Sequence, residues 1–153
     1  MSLVARDRAV LWHPCSQMRD YDTFPPLPIA SAQGARLHLA DGRVVLDAIG
    51  SWWCKALGHG HPRLLAALRA QSERFEHVIL ANTAQEPAVR LAERLLALAG
   101  PAYGKVFYAD NGSTGVEVAL KLALHWQQLR GQTQRTRFAA LADGYHGETA
   151  GAM

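Results

Sequence analysis

The sequence predicts an α/β chain, and three observations carry that prediction. A short apolar run at residues 106–109 breaks at Asp110-Asn111-Gly112 and passes at once into a long amphipathic segment. A second apolar run, residues 138–142, follows that segment after Gly131 and a polar connection. Upstream, Asp41-Gly42 lies between two short alternating runs, the signature of a hairpin. Strand, helix and strand in that order make a crossover unit, which the right-handed rule makes parallel.

Taken in order, residues 1–14 give a short amphipathic opening that ends at Trp12-His13-Pro14. Through residues 15–28, Pro25, Pro26 and Pro28 restrict the chain to extended or polyproline geometry, with Tyr21 and Phe24 available as anchors. Residues 35–47 read as the hairpin: Leu37 and Leu39 alternate with Arg36 and His38, and residues 44–46 begin the return strand.

Residues 48–61 combine Trp52 and Trp53 with Gly50, Gly58 and Gly60. Adjacent side chains face different ways, so one indole can sit in a core while its neighbour lines a cleft; both simply packing stays open. His59 and His61 lack a third ligand nearby, and a turn leading to Pro62 at a helix start accounts for them without a metal.

Residues 62–75 are helical, with Leu64, Leu65 and Leu68 toward a core, and residues 77–83 form a short connecting strand or loop. A second helix spans 87–98. It starts at Thr83/Glu86, or at Glu86 with Pro87 in its first turn, and stops at Gly100-Pro101. The helix after Gly112 has its own start signal: Thr114 and Glu117 form a capping box, with Ser113 as the alternative cap. Val116, Ala119, Leu120, Ala123 and Trp126 share one face, and Glu117 and Lys121 can pair on another.

With 153 residues and 49% hydrophobic content the chain is too apolar for a disordered segment. Its net charge of +3 is modest and its arginines are scattered, which argues against a nucleic-acid-binding stripe. Cys15 and Cys54 share no metal or disulfide spacing, the N-terminus has no signal-peptide core, and no run approaches a membrane span. A cytoplasmic protein with no membrane partner is expected.

Loops at the carboxyl ends of parallel strands are where ligands bind. Residues 111–114 follow one such end and Tyr145-His146 the next, so the topology brings both to one crevice. A small-residue turn opening a helix gathers unpaired N–H groups, two hydroxyls and the positive helix end, which suits a phosphate, although such turns also open helices that bind nothing. The turn lacks both G-x-G-x-x-G and G-K-[ST]. A phosphate without a nucleotide signature points to a phosphorylated cofactor or small metabolite. Tyr145 can stack on a flat ring or serve the structure alone.

The motifs together resemble those of the class III pyridoxal-phosphate-dependent aminotransferases. The resemblance rests on Trp12-His13-Pro14, Asp41-Gly42-Arg43, Ser51-Trp52-Trp53, residues 58–62, residues 109–113, Glu117-Val118-Ala119, Gly144-Tyr145-His146-Gly147 and Gly151-Ala152-Met153. Within the family, the tryptophan pair is most similar to the branch that acts in biotin synthesis. The resemblance implies fold type I, present only in part: residues 1–60 as the amino-terminal small-domain segment, and residues 61–153 as the first portion of the large, mostly parallel-sheet domain. It implies pyridoxal 5'-phosphate as cofactor, with Gly112 and Ser113 holding its phosphate and Tyr145 stacking on its ring. Trp52 becomes a substrate-pocket residue, with Trp53 structural. The implied substrates are S-adenosyl-L-methionine and 8-amino-7-oxononanoate, and the implied assembly is a homodimer of the full-length chain.

Departures from the family pattern limit what is expected. Cys15 stands where a tyrosine lines the pocket of the adenosylmethionine-using branch, which opens the choice of amino donor. Residues 81–85 replace a Gly-Gly-x-Thr-His segment near the subunit interface. The Schiff-base lysine, the aspartate facing the pyridine nitrogen and the carboxylate-binding arginine belong beyond Met153, and Lys55, Lys105 and Lys121 lack the matching context. These residues alone are therefore expected to hold part of a cofactor cup without turning over. The alternatives are a class III ω-aminotransferase with another donor, a catalytically dead binding module, and an unrelated phosphometabolite-binding domain.

Overall fold

The computed structural model describes residues 1–153 as two compact units, Met1–Val78 and Ile79–Met153. In the first, helix α1 (Leu3–Val10) starts at Ser2, whose hydroxyl accepts from the Ala5 N–H at 3.2 Å. A 3₁₀ turn at Met18–Asp22 follows, and Asp22 pairs with Arg8 of α1. Three strands then form an antiparallel sheet in chain order: β1 (Ile29–Gln33), β2 (Arg36–Leu39) and β3 (Val44–Leu46).

The hairpin of β2 and β3 has the expected position. Leu37 faces Val45 and His38 faces Val44 across the ladder, and the Asp41 carboxylate stiffens the turn by accepting from the Arg43 N–H and Nε at 3.1 and 2.9 Å. Strand β1 was not foreseen. The prolines before it read as loop, and Ile-Ala-Ser-Ala-Gln has little of the β-branched or aromatic character that marks a strand. Leu39 is the one buried apolar residue of this unit.

After β3 comes a single helical turn, α2 (Gly50–Trp53), and then α3 (Pro62–Ser72). Pro62 occupies the first turn of α3, as its missing N–H favours. The regular helix stops three residues short of the expected end. Gln71 continues the bonding irregularly, its carbonyl accepting from Phe75 N–H and its amide donating to the Phe75 carbonyl at 2.9 Å.

The second unit contains α4 (Glu86–Ala99) and α5 (Gly112–Leu129). Glu86 and Pro87 open α4, while the Thr83 hydroxyl donates to the Ile79 carbonyl instead of capping the helix. Residues 106–109 and 138–142, expected as strands of a crossover pair, carry no ladder hydrogen bonds. A strand is defined by its neighbour, and these two runs do not pair with each other or with any other segment here. The first is instead tied to α4, where the Tyr108 hydroxyl donates to the Ala88 carbonyl at 2.5 Å.

Candidate functional site

Helix α5 begins where Asp110 and Asn111 turn the chain. Asn111 is the N-cap: its Oδ1 accepts from the Thr114 N–H at 3.0 Å, and Thr114 Oγ1 accepts from the Asn111 N–H at 3.1 Å. The capping box thus lies three residues before the expected one at Thr114 and Glu117. Asparagine caps as well as serine or threonine, and the Thr114 hydroxyl takes the role usually given to Glu or Gln.

This arrangement satisfies Asn111 and Thr114 and leaves the N–H groups of Gly112 and Ser113 without a partner in the chain. They are the first donors of an 18-residue helix, at its positive end. Space beside them is open, since a Cβ placed on Gly112 would meet nothing within 4 Å. Ser113 adds a hydroxyl whose orientation is fixed. Its Oγ accepts from the Glu148 N–H at 3.0 Å, so its own proton is left to donate. Two main-chain donors, one hydroxyl donor and a helix terminus around open space fit the phosphate of a small phosphorylated molecule.

The loop after residue 141 closes on this helix start. Glu117 Oε1 accepts from the Gly151 N–H at 2.6 Å, and the Thr149 hydroxyl reaches the Ser113 carbonyl at 3.5 Å. The Gly151 N–H, then the Thr149 side chain and, least, the Lys121 charge hold the Glu117 carboxyl below the usual range. The expected Glu117–Lys121 pairing is therefore secondary. The approach leaves no room for a side chain: a Cβ on Gly147, at φ +143°, would lie 2.7 Å from Ser113 Oγ. Tyr145, 77% exposed, stands two residues before that contact. Within this unit the structure joins Gly112 and Ser113 to the loop that carries Tyr145.

Trp52 belongs to the other unit, in the turn α2. Gly50, Ser51, Trp52 and Trp53 have φ of 55°, 47°, 60° and 66°, four consecutive residues in the left-handed region. Left-handed helix costs about 1–2 kcal/mol for each non-glycine residue, and three of these four carry a Cβ. Neither tryptophan enters a core, contrary to the reading that would bury one of them; they are 57% and 81% exposed.

Beneath the turn, Asp47 accepts from the Ser51 N–H at 2.8 Å, from Ser51 Oγ at 2.7 Å and from His59 Nε2 at 2.7 Å. These bonds, led by the Ser51 N–H, bring the Asp47 carboxyl down to about 2. Sequence reasoning passed over Asp47 and gave Glu117 other partners, Thr114 and Lys121. The only signals were the four-residue spacing of Asp47 to Ser51, the glycines on either side of His59, and the small residues of 147–151 that permit close approach.

The model of the family described as aminotransferase class III matches residues 16–153. The chain belongs to the class III aminotransferases. Over 153 residues it is 42% identical to the adenosylmethionine-8-amino-7-oxononanoate aminotransferase of Helicobacter pylori, covering 99% of this chain and 35% of that protein. The crystal structure of the enzyme of that name from Methanocaldococcus jannaschii superposes with a TM-score of 0.92 at 35% identity, over 98% of this chain and 34% of the other. The Pseudomonas jessenii ω-transaminase, solved in complex with PMP, gives 0.89 at 26% identity over 97% and 33%. The chain thus spans about a third of the length of the relatives it matches.

Class III aminotransferases depend on pyridoxal phosphate, and the α5 turn has the donors its phosphate needs. The incomplete type I fold expected from the resemblance agrees with these neighbours. No helix here is long and apolar enough to cross a membrane.

Proposed function

We propose that the full chain is an adenosylmethionine-8-amino-7-oxononanoate aminotransferase, moving an amino group from S-adenosyl-L-methionine to 8-amino-7-oxononanoate to give 7,8-diaminononanoate in biotin synthesis. The observation that carries the reading is the start of α5, where the Gly112 and Ser113 N–H groups and the oriented Ser113 hydroxyl are free to bind a phosphate. In this reading Gly112 and Ser113 grip the phosphate of pyridoxal 5'-phosphate, Tyr145 lies against its ring and Trp52 lines the substrate pocket. Residues 1–60 are the amino-terminal small-domain segment and residues 61–153 the first portion of the large domain. The enzyme works as a homodimer, and Cys15 and Cys54, neither of them in a disulfide, fit a reducing compartment such as the cytoplasm.

Bound at this turn, pyridoxal phosphate supplies the electron sink for transamination. The chain's own contribution is positional. The helix start fixes one end of the cofactor, and the rungs Ser113–Glu148 and Glu117–Gly151 hold the Tyr145 loop against that start. Lys121 lies within α5 itself, on the helix that follows the turn, and has no part in the chemistry. The reading is tested by titrating the purified full chain with S-adenosyl-L-methionine, and separately with lysine, while following the cofactor absorbance. Conversion by the first alone supports the assignment. Conversion by lysine alone would make Cys15 the mark of a different donor, and conversion by neither would refute the reading.

A further inference from the structure

The turn α2 presents a problem that its own residues do not solve. Four successive left-handed residues, two of them tryptophan, are disfavoured in isolation, and a right-handed turn of the same sequence would close equally well. Main-chain bonds from Trp53 N–H to the Ile49 carbonyl at 2.9 Å and from Lys55 N–H to the Gly50 carbonyl at 3.0 Å close the loop. They do not explain its hand. Asp47 grips the turn from below through both Ser51 donors, and His59 Nε2 lies 3.4 Å from the same Ser51 Oγ.

Asp47 is itself anchored to the turn between β1 and β2. Its N–H donates to the Ala35 carbonyl at 2.9 Å, and its third partner, His59, is joined to Gly34 by reciprocal main-chain bonds of 2.8 and 2.9 Å. Gly58 makes that junction possible, because a Cβ there, at φ +76°, would lie 3.0 Å from the Gly34 carbonyl oxygen. The support is largely shielded, with the Asp47 and His59 side chains 6% and 14% exposed, while the indole it carries is open to solvent. Strain that is held in place by a buried polar support, beneath an exposed aromatic side chain, gathers where a side chain must be displayed in one particular way.

We propose that Asp47, acting through Ser51 and His59, is the positioning residue for Trp52: it holds the Gly50–Trp53 turn left-handed and thereby presents the Trp52 indole to the substrate. The inference rests on the assignment of Trp52 to the substrate pocket, and its test has one arm that does not need catalysis. In the full chain with cofactor bound, the Trp52-dependent part of the near-ultraviolet circular dichroism is the difference between the parent and Trp52→Phe. Asp47→Asn abolishes that part without substrate. In kinetics, Asp47→Asn raises KM for the amino acceptor about tenfold with kcat within about threefold, the mark of lost binding rather than lost chemistry. Adding Asp47→Asn to Trp52→Phe then costs nothing more, since both act through one side chain. His59→Gln, which leaves both Ser51 bonds in place, gives an intermediate effect and carries the test if Asp47→Asn does not fold.

An unchanged dichroism band overturns the inference whatever the enzyme does. A lost band with parental kinetics, or strictly additive effects in the double variant, overturns the link from Asp47 to substrate. A full chain that performs no transamination refutes the functional reading separately, and the dichroism arm still decides whether Asp47 holds the turn.

Discussion

Ser113→Ala separates the two jobs the structure gives this hydroxyl. The Oγ accepts from the Glu148 N–H at 3.0 Å and has one proton left to donate. If that proton goes to a phosphate dianion, its loss removes a hydrogen bond to a charged group, about 1.5–3 kcal/mol. At 1.4 kcal/mol per tenfold, the affinity for pyridoxal phosphate falls by about ten- to a hundredfold. Losing the Glu148 contact adds at most about 1 kcal/mol, because the exposed N–H can turn to water. The two effects are distinguished by the ligand. Pyridoxal without its phosphate loses only the second, less than about fivefold. The assay is an absorbance titration of both aldehydes into the cofactor-free full chain, parent and variant. Equal loss for the two aldehydes, or none for either, would refute a phosphate at the α5 start.

Three further outcomes follow from the geometry. Gly58→Ala combines a left-handed backbone with a Cβ 3.0 Å from the Gly34 carbonyl, and should destabilise the protein by about 2–5 kcal/mol in denaturant unfolding; a loss under about 1 kcal/mol would show that the two segments can part cheaply. Asn111→Ala removes the half of the capping box made by the Asn111 side chain, leaving the main-chain N–H to Thr114 Oγ1, and should lose about 0.5–2 kcal/mol, with Asn111→Ser recovering most of it, read by the same unfolding. The Asp47 carboxyl, at about 2 in the fold against 3.8 unperturbed, contributes stability that is whole above pH 3.8 and disappears as pH falls through about 2. Stability measured from pH 5 to pH 2 should therefore decline less steeply in Asp47→Asn than in the parent, and identical slopes would show that the network does not hold Asp47 ionised.

Local signals in the sequence were read where a residue's effect is local. Asp41-Gly42 located the hairpin, Pro62 and Pro87 the starts of α3 and α4, and the break at Asp110-Asn111-Gly112 the start of α5. The cap of α5 was placed three residues late, because Asn111, Ser113 and Thr114 are all good caps and only backbone geometry chooses among them. Glu117 was assigned to its helix neighbours, whereas its partner Gly151 is 34 residues away. Asp47 and His59 meet across twelve residues, through a fold in which Gly34 and Gly58 come into contact. Such contacts leave no periodic trace. The resemblance named Gly112, Ser113, Tyr145 and Trp52, but not the groups beneath them.

The misread strands and the tryptophan pair share one physical cause. A ladder needs a neighbouring strand and an apolar face needs a cover, and both come from outside the segment that carries the signal. Each unit has one buried apolar residue, Leu39 in the first and Ala152 in the second. The runs at 106–109 and 138–142 have strand composition without a strand's partners, and Leu91 and Leu95 of α4 have core composition without a core. What is already formed under these conditions is informative. The α5 capping box, the two rungs to the Tyr145 loop and the Asp47 network need nothing beyond these residues, and each lies beside a residue that the family resemblance names. Local hydrogen bonding fixes each of these small parts where apolar burial has not yet been supplied.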